Sequence, residues 1–433
     1  EEELNINLLK LFLQKCHEKN WVAPPEFVVR LLNLAKDKKY KSLQKQLFML
    51  TGKRGEWLAQ FKPDWNFVQA TDYAKVWDEG KGQERLEMFV DLRKADPAKA
   101  RQLLQKTWQQ EAYNTKTALV NSFKNKLSQE DEPFLQQIFE EIQIARTKKK
   151  DVYADLLKTV VDLLLSLPDS ALSKEIEGKI KGYVTLKSEK KLLGLVNNKT
   201  WVLDLPEKED GFFNTENMCK RLGFDGVSRK ISTHTDIESW ADELIKYINP
   251  QSWKQILQVN TEEVIKIFLD NPGFTKEQKK TTISLFSEAL ELAVCRFKDY
   301  EFAKLLNQTR FVPDLFSLLN QDDMMRLKEE IDINIRDFSQ VFLQERFKTF
   351  SLDFTQFIMK YFHKQTTVNH FFYEHRITDF ISQAITFIHP DFVKEVAYMP
   401  YESQKDWEKQ QWQQNIAAPM QKMAAIRQEI EKL

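Results

Sequence analysis

Apolar residues recur along most of the chain with the spacing of an α-helix. In the segment ALVNSFKNKLSQEDEPFLQQIFEEI, Leu119, Phe123 and Leu127 follow one another every four residues. After a short polar break, a second stripe with helical spacing runs from Phe134 to Ile142. Positions three and four apart lie on one face of a helix, so each stripe marks a helix that buries one side. The pattern predicts two helices joined by a short turn.

This sequence of helix, turn and helix repeats along the chain with a unit of about 35–45 residues. One segment, from Leu156 to Leu167, is apolar around nearly its whole circumference. It predicts a buried inner helix that ends before Pro168, because proline cannot continue a helix. Units of this length are typical of HEAT and armadillo repeats, in which helix pairs stack side by side. We therefore predict an all-α fold, a HEAT-like helical-repeat superhelix.

Residues 183–233 interrupt the helical pattern. Asn197 and Asn198 stand between two short apolar runs, and paired asparagines favour a tight turn between two strands. We expect a small β-hairpin with the two asparagines in its turn. The predicted segments are an N-terminal helical repeat half at 1–182, a hairpin and loop insert or linker at 183–233, and a C-terminal helical repeat half at 234–433.

The composition agrees with long helices and short connections. The 433 residues include only 11 glycines and 13 prolines, and folds rich in sheet use more of both in their turns. The chain has 64 basic and 64 acidic residues, so its formal net charge is zero. A neutral chain gains little from counterion release, which disfavours nucleic acid as the partner.

The cysteines and the apolar runs bear on the location of the protein. Cys16, Cys219 and Cys295 are far apart in sequence and match neither a zinc motif nor a disulfide framework. No apolar run is long enough to cross a membrane, and the N-terminus lacks the basic region and cleavage site of a signal peptide. These features predict a cytoplasmic protein that does not associate with a membrane. The chain begins without methionine, which indicates a truncated or processed segment.

Two glycines bracket a Lys-Arg pair in LTGKRGEWLAQFKPDW, residues 50–65, which raises the question of a phosphate-binding loop. Such a loop needs an earlier glycine five residues before the Gly-Lys pair and a Ser or Thr after the lysine. Here a leucine and an arginine occupy those two positions. We expect instead that Gly52 ends one helix in the left-handed conformation and that Gly55 starts the next. The turn would carry Lys53 and Arg54, and the corner between the helices would hold Trp57 and Trp65.

A second aromatic and basic region is VWDEGKGQERLEMFVDLRKADPAKAR, residues 76–101. Its arginines could form a stripe that binds the carboxylates or phosphates of a partner. Alternatively, they form interhelical salt bridges with the carboxylates Glu84, Glu87, Asp91 and Asp96. The candidate partner-binding residues from both regions are Lys53, Arg54, Trp57, Trp65, Trp77, Arg85 and Arg93.

Several landmarks occur in a fixed order along the chain, among them GKRGEWLAQFKPDW, LSQEDEPFLQQIF, LLSLPDSAL, WVLDLPEKEDG and WADELIKYINPQSWKQIL. Together they resemble an uncharacterised bacterial family of HEAT-like helical proteins that is known only as a domain of unknown function. Members tend to be encoded near MoxR-type AAA ATPases, von Willebrand factor A proteins and SWIM zinc-finger proteins. The resemblance covers most of the chain beyond about residue 45 and implies no catalytic residue. The chain departs from the pattern after Arg146, where lysines stand in positions at which members often have arginine.

Neither a catalytic nor a metal-binding arrangement is recognisable. His370 and Glu374 are four residues apart and His375 follows, but this spacing is one residue longer than the H-x-x-E-H motif of inverted zincins. His363 would lie about 10 Å away along a helix. No Ser-His-Asp, Cys-His or nucleophile-elbow signature occurs. The sequence therefore predicts neither enzymatic activity nor a cofactor or metal.

The sequence favours a non-catalytic protein-interaction scaffold built on an α-helical repeat surface. Its basis is the repeated helices and an aromatic content of 12%. The gene neighbourhood that the resemblance implies suggests an AAA ATPase or a von Willebrand factor A protein as the partner. The alternative is a nucleic-acid-binding HEAT-like protein that uses the N-terminal tryptophans and arginines. The oligomeric state stays open.

Overall fold

A computed structural model describes residues 5–65, 73–146, 153–191, 196–224, 235–269, 283–327, 342–343, 349–369, 382–392 and 405–433. These residues are mostly helical, with one two-stranded antiparallel sheet, so the predicted all-α class with a small hairpin is confirmed. The chain divides into two compact units. Unit 1 combines Glu1–Ala70 with Phe311–Leu433, and unit 2 is Thr71–Arg310. The three-segment division at 182 and 233 stays a prediction.

The helices have the following bounds in chain order. Unit 1 begins with α1 (Ile6–Glu18), α2 (Pro25–Lys36) and α3 (Gln44–Ala59). Unit 2 contains α4 (Tyr73–Glu79), α5 (Gly82–Ala95), α6 (Pro97–Thr107), α7 (Tyr113–Asn121), α8 (Glu132–Arg146), α9 (Ala154–Leu165), α10 (Ala171–Tyr183), α11 (Asp236–Ile245), α12 (Pro250–Leu257), α13 (Thr261–Leu269), α14 (Ser287–Phe297) and α15 (Tyr300–Thr309). Unit 1 resumes with α16 (Pro313–Phe316), α17 (Gln321–Arg326), α18 (Leu352–Asn369), α19 (Asp406–Trp412) and α20 (Ala418–Lys432).

Several short turns of tighter or wider helix join these elements. The 3₁₀ turns are Lys38–Leu43, Pro63–Trp65, Trp108–Gln110, Ser122–Lys124, Gln129–Asp131, Ile283–Phe286 and Pro390–Phe392. The π-helical turns are Glu216–Arg221 and Gln413–Ala417. None of the helices in the described ranges is both long enough and apolar enough to span a lipid bilayer.

Gly52 breaks α3, as its position in the sequence predicted. Its φ of 57° is the positive value expected, but its ψ of −158° lies outside the left-handed helical region and in one that only glycine adopts readily. A Cβ atom at Gly52 would lie 2.7 Å from Cγ1 of Val22, in the loop that precedes α2. The amide of Ala23 in that loop donates to the carbonyl of Leu50 at 2.7 Å. The break therefore lets the loop lie against the backbone of α3.

The second glycine of this stretch has a different role from the one expected. Gly55 is buried inside the second part of α3 rather than at the start of a new helix. A Cβ atom there would lie 1.8 Å from Oγ1 and 2.4 Å from Cβ of Thr51. Thr51 is itself buried and donates its hydroxyl to the Phe48 carbonyl at 2.5 Å. The kink thus brings two turns of the same helix too close together for any side chain at position 55.

The core of unit 2 surrounds α9 and a chain of aromatic rings. Seven of the twelve residues of α9 are buried, which confirms the inner helix predicted before Pro168. Each buried leucine or valine stabilises the fold by about 1.5–3 kcal/mol. Ring contacts of 5.4–6.5 Å run through Trp77, Phe89, Phe123, Phe134 and Trp108.

The hairpin of unit 2 pairs strands β1 (Val184–Lys191) and β2 (Val196–Leu203). The expectation that Asn197 and Asn198 form its turn is wrong, because both lie within β2 opposite Lys190 and Glu189. The register is fixed at the other end, where buried Leu203 lies opposite Val184. The pairing of β1 with β2 outweighed the local turn preference of two asparagines.

Candidate functional site

The residues that follow the Gly52 break present an apolar surface to solvent. Lys53 and Arg54 are both exposed. Trp57 is 58% exposed and Phe61 is 69% exposed, and their ring centroids are 4.8 Å apart in an edge-to-face arrangement. Side chains of this size are rarely left so exposed in pairs. Three of the candidate residues, Lys53, Arg54 and Trp57, therefore lie on one short exposed segment together with Phe61.

A pocket lies on the other side of the Gly52 break. It encloses about 500 Å³ between α1, the loop before α2 and the first part of α3. Trp21, Val22 and Met49 line it and are 44%, 57% and 44% exposed. Because Gly52 packs directly against Val22, the pocket adjoins the segment that carries Trp57. We call Trp21, Val22, Met49, Trp57 and Phe61 the apolar docking surface.

Trp65 has a structural role that differs from that of the apolar docking surface. Its Nε1 donates to Oδ1 of Asn33 at 3.1 Å, and Nζ of Lys62 lies 4.3 Å from its ring centroid. Its ring packs against a buried cluster that includes Val28 and Leu32 of α2. Trp65 thus fastens the 3₁₀ turn after α3 to α2.

Trp77 and Arg85 form a stacked pair inside unit 2. Trp77 is 3% exposed, and the guanidinium carbon of Arg85 lies 4.4 Å from its ring centroid. Arg85 also makes a two-point ion pair with Glu111, with Nη1–Oε2 at 3.2 Å and Nη2–Oε1 at 2.5 Å. The contact joins α5 to the loop before α7, so both side chains serve the packing of the unit.

Arg93 is completely buried, and each of its five N–H groups has an acceptor. Nε donates to the carbonyl of Asn125 at 3.0 Å. Nη1 donates to the carbonyl of Pro97 at 3.1 Å and to Oδ1 of Asp131 at 3.0 Å. Nη2 donates to the carbonyl of Lys126 at 3.1 Å and to Oδ2 of Asp131. This full set of partners explains how a charged side chain is accommodated without solvent.

Asp131 is the common acceptor of a wider network. Oδ1 accepts from Nη1 of Arg101 at 2.6 Å, and Oδ2 accepts from the backbone N–H of Ser128 at 3.0 Å. Burial acts to lower the pKa of Arg101, but the hydrogen bonds that Arg101 donates to Asp131 and Glu130, with the negative charges of these carboxylates, outweigh burial and raise that pKa. The arginines therefore form ion pairs, as one alternative expected. Their partners Glu111 and Asp131 lie 26 and 38 residues further along the chain rather than in the neighbouring sequence.

Unit 2 also contains a groove that the sequence did not indicate. It encloses about 840 Å³. Three segments line it: residues 124–129 after α7, residues 162–168 at the end of α9, and Arg296 with Lys298 at the end of α14. The charged lining residues are Lys124, Lys126, Asp162, Arg296 and Lys298. We call this the basic groove.

Asp162 connects the walls of the basic groove. Its Oδ1 lies 3.0 Å from Nη1 of Arg296, and its Oδ2 lies 3.4 Å from Nζ of Lys124. The hydroxyl of Tyr247 donates to Oδ1 at 2.9 Å, and the Arg296 guanidinium lies 4.0 Å above the Tyr247 ring. Nη1 of Arg296 also donates to Oγ of Ser166 at 2.7 Å.

These contacts set the protonation of both groups. Burial alone would raise the pKa of Asp162. The positive charges of Arg296 and Lys124 and the Tyr247 hydrogen bond outweigh burial and hold that pKa below its ordinary value of 3.8. Burial, followed by the charge of Asp162, raises the pKa of the Tyr247 hydroxyl. Asp162 is therefore ionised and Tyr247 stays a proton donor at neutral pH.

The histidine positions considered for a metal cannot be placed. His370, Glu374 and His375 lie outside the described residues, as does the side chain of His363. Within the described ranges, the acidic, cysteine and histidine side chains do not come together in any group that could hold a metal ion.

The comparisons with known proteins identify a family and nothing closer. Neither the curated proteins nor the solved structures gave a match to the chain. A family model described as "Family of unknown function (DUF5691)" matches residues 2–433, which is nearly the whole sequence. The chain therefore belongs to the family of unknown function DUF5691.

Proposed function

We propose that this chain is a non-catalytic scaffold that binds a protein partner through the apolar docking surface of unit 1. The observation that carries the proposal is the exposure of Trp57 and Phe61, 58% and 69%, on a segment whose backbone is fixed by Gly52. Burial of the exposed tryptophan and phenylalanine rings under a partner would contribute favourably to the free energy of binding.

The surroundings of this pair are those of a binding site rather than of a single exposed ring. The pocket beside it, lined by Trp21, Val22 and Met49, offers a recess of about 500 Å³ for an apolar side chain. Exposed Lys53 and Arg54 stand on the same segment and would form a polar rim. An apolar centre with a charged rim is the usual composition of a protein–protein interface.

The partner expected from this surface is a folded protein with an apolar projection and acidic groups around it. Lys53 and Arg54 would select the acidic groups through charge complementarity. We propose an AAA ATPase or a von Willebrand factor A protein as the partner, on the grounds of the resemblance given above. The proposal includes stacking of the helices as HEAT-like repeats and a location in the bacterial cytoplasm.

The test is a comparison of variants in affinity purification of the tagged full chain from native cells. The change Trp57→Ser with Phe61→Ser removes both exposed rings. Leu292→Ser is the matched control, because Leu292 is 49% exposed on α14 of unit 2. Circular dichroism first confirms that both variants keep the helical content of the wild type.

The expected result is one or more stoichiometric partners that the wild type and the control recover equally. Loss of a central aromatic anchor costs about 2 kcal/mol or more, so recovery with the double variant should fall at least about 30-fold at subsaturating partner concentration. Equal recovery of every partner by the double variant would contradict the proposal.

A further inference from the structure

We propose that the basic groove of unit 2 binds a small ligand that carries two or more phosphate groups. This site is separate from the apolar docking surface and does not depend on the proposed function. It follows from the charge, the size and the backbone conformation of the groove.

The groove concentrates positive charge in a chain that is neutral overall. Four cationic side chains and one carboxylate line it, a surplus of three positive charges (four minus one), whereas the whole chain has 64 charges of each sign. Asp162 is engaged by Arg296 and Lys124. The other two cations, Lys126 and Lys298, have exposed side chains that make no ion pair with any described residue.

The carboxylates next to these two lysines in sequence are held by other groups. Glu130 pairs with Arg101 at 2.9 Å. Asp299 accepts from the backbone N–H of Phe302 at 3.1 Å and from Nε2 of Gln251 at 2.7 Å. The positive charges of Lys126 and Lys298 are therefore left for an anion from solution.

The backbone at both lysines has an unusual conformation that fixes the two walls. Lys126 and Lys298 have φ values of 56° and 52°, in the left-handed region that lysine seldom adopts. The Lys126 carbonyl is held by Nη2 of Arg93 at 3.1 Å. The Lys298 N–H donates to the Cys295 carbonyl at 3.3 Å and ends α14. Asparagine or glycine is the usual residue for such a position. Backbone conformation alone therefore does not explain why lysine occupies both positions.

The size and lining of the groove favour a small, highly charged ligand. Its volume of about 840 Å³ lies in the range of sites for small molecules. Its lining adds the hydroxyl of Ser128 to the four cations, and none of its residues is aromatic. The Ser166 hydroxyl already donates to the Asp162 carbonyl at 2.6 Å. Single-stranded nucleic acids bind through stacking on aromatic side chains, and peptides bind through apolar anchors. Phosphate groups need only cations and hydrogen-bond donors such as those that the groove supplies.

The test measures binding of sodium tripolyphosphate to the full chain at low salt by isothermal titration calorimetry. The variant Lys126→Asn with Lys298→Asn removes two charges and keeps a residue type that accepts the left-handed conformation. The matched control is Lys94→Ala with Lys106→Ala, which removes two exposed lysines of unit 2 that do not line the groove.

The proposal predicts that one tripolyphosphate binds per chain in the wild type and in the control. The asparagine variant should bind at least about tenfold more weakly, because it loses two charge-assisted contacts to phosphate groups. Equal binding of ATP would show that the phosphate groups suffice, while weaker ATP binding would favour a free polyphosphate, and both support the proposal. Failure of the wild type to bind, or equal binding by the asparagine variant, would overturn it. So would citrate binding as tightly as tripolyphosphate, or a 20-nucleotide single strand binding more tightly through the same two lysines.

Discussion

The guanidinium of Arg93 and the carboxylate of Asp131 form a two-point ion pair in which neither side chain has any solvent-exposed surface. The pair joins α5 to the 3₁₀ turn that precedes α8, and the same guanidinium holds the carbonyls of Asn125 and Lys126. Arg93 therefore fixes one wall of the basic groove from inside the core. Its contribution to the groove is made through the backbone and not through its charge.

Replacement of Arg93 by methionine should destabilise unit 2 strongly. The Asp131 carboxylate and three backbone carbonyls would lose the donors that Arg93 supplies, and removal of one partner from a buried ion pair costs about 3–5 kcal/mol. Arg101→Met is the matched control, because Arg101 contacts the same carboxylate but is 14% exposed. Hydrogen exchange of peptides covering residues 119–131, together with urea unfolding, measures the loss. Equal losses in the two variants would show that Arg93 has no special role.

Gly52→Ala should destabilise unit 1 because position 52 has φ 57° and ψ −158° and lies against Val22. A strained backbone of this kind costs about 1–3 kcal/mol, to which the 2.7 Å approach of the new Cβ atom to Val22 adds. The control is Gly178→Ala in the middle of α10, where a new Cβ atom meets no other atom within 4 Å. That change should stabilise by about 0.5–1 kcal/mol. Thermal unfolding compares the two; a neutral Gly52→Ala would refute the backbone assignment.

Asp162 should contribute to the acid sensitivity of unit 2. Its pKa in the folded state lies below the ordinary value of 3.8. The stabilisation by its ionised form is therefore complete above that ordinary value and is lost as the pH falls through the folded-state pKa. In Asp162→Asn this part of the pH dependence should be missing.

The measurement is the free energy of unfolding between about pH 3 and pH 6. Asp169→Asn serves as the control, since the Asp169 side chain is 77% exposed and forms an ion pair with exposed Lys174 at 3.4 Å. The control should keep the slope of the wild type. Parallel curves for the wild type and Asp162→Asn would mean that the Arg296 and Tyr247 contacts do not act on this carboxylate.

The sequence predicted the features that depend on near neighbours. Leu119, Phe123 and the leucines and valines of α9 are buried as their helical spacing predicted. The stripe from Leu119 is shorter than predicted, because α7 ends at Asn121 and Leu127 is only half-buried. The break at Gly52 followed from a glycine between two helical patterns. Each of these features depends on residues within one or two turns of helix, where periodicity and backbone preference decide the outcome.

Features that depend on distant residues were not predictable. The basic groove brings Arg296 to Asp162, which is 134 residues earlier, and no local motif marks either residue. The one available signal was the polar Asp162 among the apolar residues that run from Val160 to Leu165. Likewise, spacing alone did not show that Trp77 is buried while Trp57 is exposed, because burial depends on which elements pack against each helix face.

Site-specific photo-crosslinking from position 61 shows whether a protein partner contacts the Trp57–Phe61 pair in the cell. A photoreactive phenylalanine derivative in place of Phe61 keeps an aromatic ring at a site that is 69% exposed. The same derivative at Leu292, on unit 2, is the control. The account predicts that irradiation of native cells joins the chain covalently to one protein partner from position 61 and not from position 292, and that Trp57→Ser abolishes this product. If position 61 gives no product, or gives the same products as position 292, the exposed Trp57–Phe61 pair is not a docking site.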